Sequence, residues 1–156
     1  MESLHSWQAS DGYQGLWRRF DAAGPRRADL IYLHGIQSHG GWYLPSCRSL
    51  AECGFRVGFP DRRGSGLNFR QRGDAPSWPR LVEDVFEFRQ QFITDPPRPC
   101  VLLAVSWGAK LAAAAVARWP WLFAWPDPIG SFRFPSMIRN CSQQCRPGRI
   151  SFGAIP

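Results

Sequence analysis

The sequence predicts an α/β fold, with a mostly parallel sheet and helices flanking it. Two kinds of stretch and their order predict it. The short apolar run at 100–105, bounded by prolines upstream, reads as a strand buried on both faces, 29–33 as a compact buried strand, and 55–59 as a further strand. Stretches of helical periodicity lie between them, at 42–53 and from Ser77 to near residue 93. Strand and helix alternate along the chain, as they do in a sheet built from crossover connections.

Each element has its own signal. Residues 12–20 (Gly-Tyr-Gln-Gly-Leu-Trp-Arg-Arg-Phe) read as an aromatic-rich strand, and Gly24-Pro25 as a turn. The run 29–33 (Asp-Leu-Ile-Tyr-Leu) leads into His34-Gly35-Ile36. Trp42, Leu50 and Cys53 stand at helical spacing around Pro45, and Gly54 is the natural C-terminal stop. After 55–59 comes a glycine-rich loop, Pro60-Asp61-Arg62-Arg63-Gly64-Ser65-Gly66, and then a polar loop over 68–75. Ser77 is an N-cap candidate, with Pro79 in the first turn, where its missing N–H costs nothing. Leu81, Val82, Val85, Phe86, Phe88, Phe92 and Ile93 give that helix an apolar face, and Asp95-Pro96-Pro97 ends it. The strand 100–105 runs through a short turn into an alanine-rich helix at 108–117.

Regular organisation stops after Trp119. Residues 120–156 hold six prolines and no apolar run of useful period. The expectation is therefore two segments: the α/β part over 11–119 and an irregular Pro/Arg-rich tail over 120–156. The abrupt change in proline, charge and periodicity is the pattern of a frame lost near 119–125, that is, of a truncated or frameshifted product.

Composition narrows the function classes. The net charge is +7, but only Lys110 among the 19 basic residues is a lysine, and the arginines form no stripe. A clustered basic face is the footprint of nucleic-acid binding, so no nucleic-acid partner is expected. Five cysteines at irregular spacing (Cys47, Cys53, Cys100, Cys141 and Cys145) fit free thiols in a reducing compartment better than a disulfide framework. Cys141 and Cys145 lack the partner pair or histidines of a zinc site, so no metal is expected. The first eleven residues have no secretory apolar core, and no apolar run is long enough to span a membrane. The expectation is a cytoplasmic protein without an integral membrane segment; the oligomeric state is not legible.

The chemistry-bearing stretch is the turn around Ser106, which stands between the small residues Ala104 and Gly108. A sharp strand-to-helix turn brings those two positions together and pushes the serine outward at a helix N-terminus. Two readings are open: an exposed nucleophile, or an N-cap whose hydroxyl accepts a backbone N–H. Gly35-Ile36 after the strand 29–33 is either an anion-stabilising loop or an ordinary loop glycine. Arg62 and Arg63 either meet an acidic substrate group or, as is commoner, tie down their own loop. Asp61 reads as a loop-fixing carboxylate, and His34 and His39 as loop structure, with His39 a remote stand-in base.

Three motifs taken together, His34-Gly-Ile-Gln-Ser-His-Gly-Gly-Trp-Tyr43, Pro60-Asp-Arg-Arg-Gly-Ser-Gly66 and Val105-Ser-Trp-Gly108, resemble the α/β-hydrolase superfamily. The nearest branch is the monoacylglycerol lipase and lysophospholipase group, often labelled serine aminopeptidase-like. By that resemblance 11–119 is the N-terminal part of a hydrolase domain, with the sheet incomplete after the elbow helix. Ser106 would be the catalytic nucleophile, and Ile36 and Trp107 would supply the oxyanion hole through their backbone N–H groups. The substrate implied is a small-molecule ester or lipid, hydrolysed through an acyl-enzyme without a cofactor. One departure stands out. The triad of such enzymes runs Ser, then Asp or Glu, then His, yet after Ser106 this chain has no histidine, and its only acid is Asp127. Little or no turnover is expected, and a non-catalytic binding or interaction module on the same scaffold is the alternative.

Overall fold

A computed structural model describes residues 1–94 and 98–123. Five strands form one sheet: β1 (Glu2–Gln8), β2 (Gln14–Phe20), β3 (Ala28–Leu33), β4 (Phe55–Pro60) and β5 (Cys100–Ala104). Their spatial order is β1-β2-β4-β3-β5. β4, β3 and β5 run parallel, whereas β2 is antiparallel to both β4 and β1. The mostly parallel sheet with flanking helices is the expected fold class.

Four helices accompany it: α1 (Leu44–Glu52), α2 (Trp78–Phe92), α3 (Gly108–Arg118) and the single turn α4 (Pro120–Phe123). A short 3-10 turn, Gly40–Tyr43, leads into α1. The crossover β3–α1–β4 steps to one side of β3, and β4–α2–β5 returns to the other. Right-handed connections in opposite directions put their helices on opposite faces. The core follows this division. Ile31 and Leu33 of β3 pack with Val82, Val85, Phe88, Leu111 and Ala115 of α2 and α3. Leu30 and Tyr32, the alternate residues of the same strand, pack with Cys47 and Ala51 of α1. Every residue of β3 is buried, as a central parallel strand requires.

The expected caps form. The Ser77 hydroxyl accepts from the Arg80 N–H at 3.2 Å, with Pro79 in the first turn. Gly54 closes α1 at φ 89°. The structure also adds an element that the sequence reading lacked, β1. Only Trp7 on this edge strand is buried, and Leu4 is exposed, so there is no apolar stripe to announce it. Cys47 and Cys100 are free and buried as expected, whereas Cys53 is not among the free cysteines. Of the segment 120–156 only α4 is described; Asp127, Cys141, Cys145 and the rest of that tail lie outside the described residues, as does Asp95-Pro96-Pro97. Among the described residues no helix is long and apolar enough to cross a membrane.

Candidate active site

β3 and β5 are neighbours, but the chain leaves β3 towards β4 on its other side. A reversal of that kind marks the carboxyl ends of the two strands as the usual ligand position in an open α/β sheet. Leu33 pairs with Ala104, and the Val105 N–H donates to the Leu33 carbonyl at 3.0 Å. The loop carrying His34-Gly35-Ile36 and the turn carrying Ser106-Trp107 therefore leave the sheet side by side.

Ser106 is exposed and adopts φ 54°, one of two described non-glycine residues in the left-handed region. A non-glycine residue there costs about 1–2 kcal/mol. The N-cap reading of Ser106 fails: the cap position of α3 is Trp107, and no side chain bonds there. Gly108 is required by contact. A Cβ on it would lie 2.6 Å from the His34 carbonyl oxygen and 2.7 Å from that of Leu33, both rigid backbone atoms. A Cβ on Gly35 would lie 3.5 Å from the Ser106 Cβ, so the turn and the loop are in direct proximity. Among the described residues the N–H groups of Ile36 and Trp107 donate no hydrogen bond, and the Ser106 hydroxyl makes none.

Residues 24–124 match the family described as "Serine aminopeptidase, S33". The chain belongs to this α/β-hydrolase family. No curated protein sequence matches it. Among solved structures it is similar to a lipase in its open form (TM-score 0.68, 23% identity, 78% of this chain and 42% of that one). A thermostable carboxyl esterase from Bacillus coagulans in complex with glycerol is also similar (TM-score 0.64, 21% identity, 74% and 40%). So is a thioesterase domain from the curacin biosynthetic pathway (TM-score 0.62, 23% identity, 77% and 41%). At these identities the likeness is one of fold, and the chain spans about two fifths of the length of each.

In this α/β-hydrolase chain His34 and His39 are committed elsewhere. His34 is fully buried. Its Nε2 accepts from the Arg62 N–H at 3.0 Å, which puts the proton on Nδ1, and Nδ1 meets the Gly35 carbonyl at 2.8 Å. Burial drives its pKa down to about 4, so the ring is neutral near pH 7 with both nitrogens used. His39 caps the 3-10 turn, with Nδ1 accepting from the Gly41 N–H at 3.1 Å and its ring against Trp42. No hydrogen bond links it to Ser106 among the described residues.

The loop after β4 is a tie between elements. The buried Asp61 carboxylate accepts from the N–H groups of Gly40 and Leu67 and from Arg18, so it fixes loops, as the sequence suggested. Arg63 holds both oxygens of Asp84 on α2, at 2.6 and 2.8 Å, and reaches Asp11 at 2.8 Å. Sequence reasoning missed Asp84, a buried carboxylate within the apolar pattern of α2; burial pushes its pKa up and Arg63 opposes the rise. Arg62 donates to the carbonyls of Gly35 and Ile36 at 2.7 and 3.0 Å, and its guanidinium lies 4.4 Å from the centre of the Trp107 ring. Trp78 meets Trp107 edge-on at 5.6 Å. Ile36 (60% exposed) and Trp78 (42%) are exposed apolar side chains near this turn and loop. Among the described residues no group of three His, Cys, Asp or Glu side chains converges to hold a metal.

Proposed function

We propose that this chain carries the nucleophile and oxyanion half of an ester hydrolase site, with acylglycerols or lysophospholipids as the substrate class. The observation that carries the reading is Ser106, exposed in a strained turn beside Gly35, with two unengaged N–H groups, those of Ile36 and Trp107, in the adjoining segments. In this reading Ser106 Oγ attacks the ester carbonyl carbon and loses its proton to a base. The carbonyl oxygen becomes an oxyanion, held by the Ile36 and Trp107 N–H groups. The C–O bond then breaks, the alcohol leaves with a proton, and water later frees the acid from the acyl-serine. The exposed apolar side chains of Ile36 and Trp78 support an acyl substrate.

Among the described residues no histidine is hydrogen-bonded to Ser106: both His34 nitrogens are engaged, His39 caps the 3-10 turn, and His5 meets Ser3 on β1. That observation also favours a second reading, a binding module that keeps the scaffold without turnover. Imidazole in solution separates the two, because it supplies the missing general base. The protein is incubated with p-nitrophenyl acetate at increasing imidazole, and acetylation of Ser106 is followed by peptide mass. The expected result is slow acetylation that rises with imidazole and is absent in Ser106→Ala. Oxyanion stabilisation without a complete triad still gives about 10³-fold over water. A Ser106 that stays unmodified at every imidazole concentration overturns the hydrolase reading and leaves the binding module.

A further inference from the structure

The amide joining Gly35 to Ile36 has two working ends. Its N–H belongs to Ile36 and, on the reading above, faces the oxyanion. Its carbonyl belongs to Gly35. A trans peptide is planar, so the two ends point in opposite directions, and fixing one aims the other. The Gly35 carbonyl oxygen is held by three side chains: Arg62 Nη2 at 2.7 Å, His34 Nδ1 at 2.8 Å and Ser38 Oγ at 3.3 Å. Only Arg62 among them is a full cation. The same Nη2 reaches the next carbonyl, that of Ile36, at 3.0 Å. The guanidinium carbon also lies over the indole of Trp107, 4.4 Å from its centre, and Trp107 is the residue whose N–H is the second donor.

We infer that Arg62 is a positioning residue for the oxyanion pair, fixing the Gly35–Ile36 amide at its carbonyl end and bracing Trp107 with its guanidinium. The inference rests on the ester-hydrolase reading of the site. Two physical effects follow from the geometry. A charge-assisted bond to a carbonyl is short and strong, so the amide plane cannot rotate away. It also draws density from the amide nitrogen, and a chain of polarised hydrogen bonds makes the far N–H a better donor. The other use of Arg62, gripping an acidic substrate, fits the contacts poorly. Nη2 is spent on two carbonyls, the guanidinium carbon lies over the Trp107 indole, and Nε is buried without a partner among the described residues.

The test compares wild type with Arg62→Met and Arg62→Lys by two readouts. The first is acetylation of Ser106 by p-nitrophenyl acetate at fixed imidazole, resolved into a maximal rate and an apparent ester affinity. Arg62→Met is expected to slow the maximal rate by about tenfold or more, since a misplaced group costs up to about 10²-fold. The affinity stays the same, and Arg62→Lys recovers part of the rate. The second readout is the Ile36 amide in a proton–nitrogen NMR spectrum, which is expected to move upfield in Arg62→Met while the amides of β3 and β4 hold their positions. An unchanged acetylation rate or an unchanged Ile36 resonance overturns the inference. If wild type itself is not acetylated, the ester-hydrolase reading has failed, and the NMR readout alone decides on Arg62. If Arg62→Met does not fold, Arg62→Gln carries the same two measurements.

Discussion

The loops after β3 and β4 and the turn after β5 lie side by side but are built in opposite ways. Around Asp61 and His34 the polar atoms are paired: a carboxylate with Arg18 and two backbone N–H groups, an imidazole with both nitrogens engaged. Around Ser106 the hydroxyl is free, and the neighbouring N–H groups are unspent among the described residues. The first region gains stability from its polar groups. The second gives stability up, because a left-handed serine is strained and unpaired donors gain nothing from folding. The difference separates residues that hold the site from residues left available to a ligand.

Substitutions sharpen or break that contrast. Asp61→Ala carries the largest expected effect: it removes the buried carboxylate from the partly buried Arg18 and Leu67 N–H and the buried Gly40 N–H, and urea unfolding should show a loss of about 4 kcal/mol. A loss below about 1 kcal/mol, the value of a surface pair, would dissolve the contrast. His34 comes next and is read through pH. Its folded pKa of about 4 lies below the ordinary 6.5, so the unfolded chain takes up the proton first as pH falls. Stability is therefore whole above about pH 6.5 and declines by about 3 kcal/mol on the way to pH 4. His34→Gln should lack that part of the slope.

Gly108→Ala drives a methyl group into two rigid carbonyl oxygens and should cost about 2 kcal/mol. Ser106→Gly is the smallest effect and runs the other way. Relief of the φ 54° strain should raise stability by about 1 kcal/mol, seen as a higher urea midpoint, while removing any acetylation at that position. A Ser106→Gly protein less stable than wild type would place Ser106 with the holding residues instead.

The sequence made the parallel strands legible because β5 is a continuous apolar run and β3 and β4 are short and mostly apolar, and it made α2 legible because Ser77, Pro79 and a periodic face mark it. β1 escaped notice. Leu4 and Trp7 fall on opposite faces of that strand, so their spacing carries no period-two stripe. At the site, Asp61 was readable as a loop fixer from its setting among glycines. The grip of Arg62 on the loop after β3 was not, since its partners Gly35 and Ile36 stand 27 and 26 residues earlier in the chain. The engagement of His34 was hidden for the same reason, its partner being the backbone of Arg62 across the sheet edge. Local pattern reports which face is buried; it does not report which loops a fold will set side by side.

The single hydrogen bond from Val105 to Leu33 turns the sheet into a ruler. Parallel neighbours keep a spacing of about 4.8 Å whatever side chains they carry. The gap between the segments bearing Ile36 and Trp107 is inherited from that backbone gauge. Side chains on the helices can drift without recalibrating it, and the solved structures with the same fold at 21–23% identity are measured on the same scale.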